Sequence, residues 1–136
     1  NAIAGLTANL GLDSALMLEL LVAREKCGGT SISGGIAIPH PRFPLVMPDN
    51  HPILRVCFLA EPLVFDLSNQ EPIDTLFLLI CPTVHEHLQL LARLASMLHS
   101  DEFRSLLATR PDKTRLLAAF RAADATSSSN RQVDTA

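Results

Sequence analysis

Tryptophan and tyrosine are absent from this chain of 136 residues, and only six phenylalanines supply its aromatic rings. Single-stranded nucleic acid is held by stacking bases on such rings, so that platform is missing. A surplus of positive charge is missing too: the formal charge is −3, with no block of like charges, so nothing draws the chain to nucleic acid or an anionic membrane. The three cysteines, Cys27, Cys57 and Cys81, form an odd set without a short paired spacing. Neither a disulfide framework nor a cysteine metal knuckle fits them, and they read as reduced thiols of a cytosolic protein. Long apolar runs are also lacking. The strongest, Ala15 to Ala23, contains Glu19 and is far too short for a bilayer, and no positively charged leader precedes it.

What is present is core material. At 48% hydrophobic the chain can build one sizeable core, and its length fits a single domain. Residues 3–10 read as the end of a helix closed by Gly11. Asp13 or Ser14 can cap a helix to Lys26 that is apolar almost all round, as a helix buried on more than one side would be. A glycine-rich connector follows, without the Lys-Ser or Lys-Thr of a phosphate-binding P-loop. Ile36–Ile38 and Ile53–Ala60 read as strands, the second interior and broken by Glu61 and Pro62. Leu63–Phe65 reads as a short edge strand, and Thr75–Cys81 is the most apolar strand of all. Thr83 and Glu86 form a capping box for a helix to about His99. Asp101 can cap a short helix, and Pro111 suits the first turn of a last one that turns Leu116, Leu117 and Phe120 inward. Strands between helices predict an α/β sandwich, a mixed sheet with helices on both faces, over residues 1–124, with a disordered polar tail over 125–136.

The chemistry gathers at Gly34 to Pro44, where His40 stands between Pro39 and Pro41. Two prolines restrict the backbone that carries this imidazole, so its ring is presented repeatably. Arg42 follows two residues on, and in an extended segment it lies on the same side as His40. His87 falls in the first turn of its helix, where the dipole disfavours a charged ring and favours an anion. His85 points some 200° away around that helix, so His85 and His87 do not chelate one metal. A neutral histidine beside cations, with Arg24 within reach if its helix ends at the loop, suits a phosphoryl group carried on the ring. Each residue also has a plain alternative: a proline-rich surface loop for His40, a boundary position for His87, solvated charges for Arg24 and Arg42. A zinc site on His40 and His87 ranks low, because no metal-ligand spacing is present. His51, His85 and His99 read as surface residues.

Two separated blocks carry a further resemblance. Arg24, Glu25 and Lys26, then Thr30, then Gly35-Ile36-Ala37-Ile38-Pro39-His40 form the first; Glu86-His87-Leu88 with Leu91, Leu94 and Leu98 forms the second. In order and spacing they resemble the enzyme IIA domains of the fructose/mannitol class of the bacterial phosphotransferase system, and most of all its nitrogen-regulatory branch, over about residues 13–120. The resemblance implies a compact α/β phosphocarrier without metal or organic cofactor. It also implies that the carrier protein HPr donates a phosphoryl group to His40, which passes it to a IIB partner or uses it as a regulatory signal. His87 is then the second histidine that orients and neutralises the phosphoryl group, and Arg24 and Arg42 are its basic neighbours. One departure stands out: the family places glycine after the active histidine, and this chain has Pro41, without a backbone N–H. Against the family the chain is also short at its start, so an opening strand or a fused domain is expected upstream. The alternative is a regulatory interaction module that keeps the fold without the chemistry, as part of a longer transcription regulator.

Overall fold

A computed structural model of the chain describes residues 11–64 and 70–133, with side chains through 126. The helix end expected over 3–10 lies outside them. In chain order come α1 (Ser14–Lys26), β1 (Ser31–Ile32), β2 (Ile36–Ala37), β3 (Ile53–Leu63), β4 (Ile73–Ile80), α2 (Val84–Leu98), α3 (Asp101–Ala108) and α4 (Lys113–Val133). The strands form one mixed sheet in the order β1-β2-β4-β3, with β2 parallel to β4 and the other pairs antiparallel. The α/β class with a mixed sheet is as expected. The chain divides into two compact units, Asn1–Gln89 and Leu90–Ala136.

The first unit is built on β4. Leu76, Phe77, Leu78, Leu79 and Ile80 are all fully buried, so both faces of this strand are covered, as its unbroken apolar run requires. Leu76, Leu78 and Ile80 share one face and pack with Met17 and Leu21 of α1, Ala37, Met47 and Leu59. Asp13 caps α1 by accepting from the Ala15 and Leu16 N–H groups at 2.9 and 3.0 Å. Only Met17 and Leu21 of α1 are buried, while Leu16 is 54% exposed, so this helix covers one side rather than several.

Two expectations about strands fail for one reason. Among the described residues β3 is an edge strand, not an interior one, and it runs on through Glu61 and Pro62 instead of stopping there. An edge strand tolerates proline because an outward N–H has no ladder bond to lose. The register passes from Phe58 opposite Thr75 to Leu63 opposite Ile73, and the extra residues on β3 are taken up as an irregularity. Leu63 therefore ends β3 and starts no strand of its own; Phe65 lies outside the described residues. The glycine-rich connector holds an unexpected hairpin, β1 to β2, whose turn uses positive φ at Gly34 (87°) and Gly35 (75°).

In the second unit Leu94, Met97 and Leu98 of α2 and Phe103 and Leu107 of α3 are buried. Phe103 meets Phe120 edge-on, with ring centroids 6.0 Å apart. Ser100, not Asp101, caps α3, accepting from the Phe103 N–H; its hydroxyl reaches the N–H that Asp101, one residue further on, is too late to cap. Pro111 precedes α4 instead of opening it, and Asp112 accepts from the Arg115 N–H at 2.9 Å. Leu117 is 42% exposed rather than inward. α4 continues to Val133, past the Ala125 boundary at which the polar tail was expected to lose order. Ala122, Ala123 and Ala125 are strong helix formers, and the Arg93–Asp124 ion pair (2.5 Å) and the Thr126 hydroxyl on the Ala122 carbonyl support that stretch. Among the described residues no helix is long and apolar enough to cross a membrane.

Candidate functional site

His40 is mounted where the parallel pair β2–β4 ends. The Ile38 N–H donates to the Thr30 carbonyl at 3.0 Å, and the Leu79 N–H donates to the Pro39 carbonyl at 3.1 Å. The two residues before the histidine are thus tied to the β1 side and to β4 respectively. This is the carboxyl end of parallel strands, where open α/β sheets form their sites. The glycine turn feeding β2 is held from below: a Glu71 carboxylate oxygen accepts from the Gly34 and Gly35 N–H groups at 2.8 and 3.1 Å.

One contact decides the chemistry of the ring. His40 Nδ1 lies 2.7 Å from the Ile38 carbonyl oxygen. A carbonyl only accepts, so Nδ1 carries the proton and Nε2 keeps its lone pair. The ring of His87 lies beside it, centroids 4.9 Å apart and planes tilted by 43°. His87 is brought there by the start of α2. The Thr83 hydroxyl accepts from the Glu86 N–H at 3.1 Å and donates to the Glu86 carboxylate at 2.9 Å, and the Thr83 carbonyl accepts from the His87 N–H. The cap forms between the two expected residues, with the hydroxyl, not the backbone N–H, facing the carboxylate. Two N–H groups of the first turn are already used by Thr83, so the helix start is less open to an anion than the sequence indicated.

Both rings are held below the ordinary histidine value of 6.5. For His40 burial is the main cause and Arg24 adds to it, opposed by the Ile38 hydrogen bond and by Glu25. For His87 burial leads, followed by repulsion from His40 and from Arg24. Two adjacent imidazoles that resist protonation are neutral at pH 7, the state in which a ring nitrogen can act as a nucleophile.

The two arginines part company. Arg24, half-buried in the last turn of α1, donates to the Gly28 carbonyl at 2.7 Å and repels protons from both rings. Arg42 does not extend alongside His40. The chain bends at Arg42 and Phe43, and the exposed guanidinium lies over the Phe43 ring (5.5 Å) and against the Cys27 sulfur (3.8 Å). Its place is on the wall of a cleft of about 70 Å³, lined also by Pro41, Phe43, Pro44, Leu79, Cys81, Val84 and His87. The Cys81 thiol there is pushed up to about 11, by burial and then by Glu86, so it stays protonated and is no competing nucleophile. His51, His85 and His99 are exposed. Among the described residues no three His, Cys, Asp or Glu side chains are placed to hold one metal ion.

Reading the sequence passed over the residues that support His40. Glu25 and Thr30 stood in the motif without a role, although their carboxylate-to-Thr contacts, at 3.0 and 2.7 Å, anchor the connector. Glu71 gave no local signal, because the glycines it grips lie more than thirty residues away along the chain.

The chain is 41% identical over 101 residues to a nitrogen regulatory protein of Pseudomonas aeruginosa, covering 73% of this chain and 64% of that one. A nitrogen regulatory protein of Bradyrhizobium diazoefficiens is 32% identical over 75% of this chain and 66% of its own length. The chain thus spans about two thirds of the length of these relatives. Among solved structures, the nitrogen regulatory protein IIA-Ntr of Neisseria meningitidis superposes with a TM-score of 0.69 at 31% identity, over 82% of this chain and 75% of that one. The profile of the phosphoenolpyruvate-dependent sugar phosphotransferase system EIIA 2 family matches residues 2–123, and the chain belongs to that family.

Proposed function

We propose that this chain is a cytoplasmic phosphocarrier of the nitrogen-regulatory type, which accepts a phosphoryl group on Nε2 of His40 from a phosphorylated HPr-type protein. It then passes the group to a IIB domain or uses it as a signal to a regulatory target. The observation that carries this reading is the bond from His40 Nδ1–H to the Ile38 carbonyl, which leaves Nε2 bare beside His87. In the forward step the Nε2 lone pair forms the N–P bond while the donor's N–P bond breaks, its electron pair returning to the donor imidazole. Positive charge grows on the His40 ring as it takes the phosphorus, and the Ile38 carbonyl on Nδ1–H stabilises that charge. On this reading His87, whose ring neighbours that of His40, and Arg24, whose charge bears on both rings, balance the negative charge on the phosphoryl oxygens. Arg42, on the cleft wall, is the outer basic residue and meets the partner or the departing group.

The test is phosphoryl transfer from phosphoenolpyruvate through enzyme I and HPr of one source organism. Wild type takes up acid-labile phosphate, His40→Ala takes up none, and His87→Ala is slowed by about a hundredfold, the scale of one lost charge-stabilising group. A folded wild type that takes up nothing would sink the proposal and favour the interaction module, for which Pro41, with no N–H to offer a phosphoryl oxygen, is the specific ground.

A further inference from the structure

We infer that Glu25 is a positioning residue for His40, holding the acceptor ring in its reactive tautomer through a continuous run of hydrogen bonds; this rests on the reading of His40 as the phosphoryl acceptor. The run starts at the end of α1. One carboxylate oxygen of Glu25 accepts from the Thr30 N–H at 3.0 Å and the other from the Thr30 hydroxyl at 2.7 Å. Both donors of one residue on one carboxylate leave Thr30 a single orientation, and its side chain is buried at 8% exposure. The Thr30 carbonyl, so aimed, accepts from the Ile38 N–H, and the Ile38 carbonyl accepts from His40 Nδ1–H at 2.7 Å. Each link is a backbone group except the first and the last. The carboxylate at one end therefore decides where the carbonyl at the other end points.

Glu25 also acts through space. The charged and titratable groups that bear on His40 are Arg24 and Glu25 from α1 and His87 from α2. Of these only Glu25 is an anion, and it counters Arg24. A purely structural latch on the connector would leave the ring's proton and its titration untouched, which makes the two roles separable.

The experiment is nitrogen-15 NMR of the imidazoles in the whole chain, for wild type, Glu25→Ala and Glu25→Gln, with no phosphoryl donor present. Wild type shows His40 as the single Nδ1–H tautomer. Glu25→Ala shows a mixture of both tautomers, and in a separate transfer assay its uptake is about tenfold slower or worse, as a displaced reacting group demands. Glu25→Gln keeps an oxygen for the Thr30 N–H, faces the Thr30 hydroxyl with an amide NH2 from which that hydroxyl accepts, and loses the charge, so His40 stays mainly Nδ1–H and titrates at lower pH than wild type. An unchanged tautomer in Glu25→Ala, or an unchanged His40 titration in Glu25→Gln, overturns the inference. Should Glu25→Ala fail to fold, Glu25→Asp takes its place in the tautomer measurement, since its carboxylate keeps the charge but is one methylene too short for both Thr30 donors, and it shows the same mixture of tautomers. A wild type that takes up no phosphoryl group removes the phosphocarrier reading, while the tautomer and titration results still stand or fall by themselves.

Discussion

At the scale of single residues, the two arginines of the motif differ by position and not by chemistry. Arg24 is held against Gly28 at the end of α1 and repels protons from both imidazoles, whereas Arg42 is turned outward over Phe43. Arg24→Gln is therefore expected to raise the titration midpoints of both His40 and His87, and Arg42→Gln to leave them where they are. Proton NMR titration of the ring C–H signals reads this directly; equal shifts in the two variants would place Arg42 in the site after all. Proximity in sequence is a poor guide here because one bend at Arg42 and Phe43 undoes the period of two on which it relies.

At the scale of elements, the site hangs on how α2 begins. Thr83 uses its hydroxyl and its carbonyl to fix the first turn, and His87 is carried by that turn. Thr83→Ala is expected to cost about 1 kcal/mol of stability, the usual value of a lost N-cap, seen as a lower urea midpoint with an unchanged slope. If the chain is the phosphocarrier proposed above, the same variant is expected to take up phosphoryl groups more slowly, since the turn that positions His87 loosens. An unchanged midpoint would mean that packing, and not the cap, sets the helix start. The capping box was legible from two residues three apart. The β1–β2 hairpin was not, because its strands have two residues each and its turn is held by Glu71 from far along the chain.

At the scale of the whole molecule, burying two neutral histidines ties stability to pH. Both fold with their rings held below 6.5, so between those lowered values and 6.5 the unfolded chain binds protons that the folded chain refuses. Their contribution is complete above about 6.5 and drains away as pH falls through the folded values. The thermal midpoint is expected to drop on going from pH 7 to pH 5, and to drop less in the His40→Gln, His87→Gln double variant. A slope equal to that of wild type would mean that other groups govern acid stability. β4 gives the rest of the fold its firmness, since five consecutive side chains from Leu76 to Ile80 are fully buried.

Much of this protein was determined by the sequence alone. The apolar run of β4, the Asp13 and Thr83 caps and the prolines around His40 are local signals, and local sterics and hydrogen bonding act on them in any context. The tertiary structure decided what local signals do not reach. It placed β3 at an edge, where Pro62 is harmless, and brought His87 to 4.9 Å from His40 across forty-seven residues of chain. It turned Arg42 away, set Arg24 where its charge repels protons from both rings, and ran hydrogen bonds from Glu25 through Thr30 to Ile38 and His40. These depend on which carbonyl meets which donor after the strands have paired. Sequence spacing does not encode that until β2 lies parallel to β4.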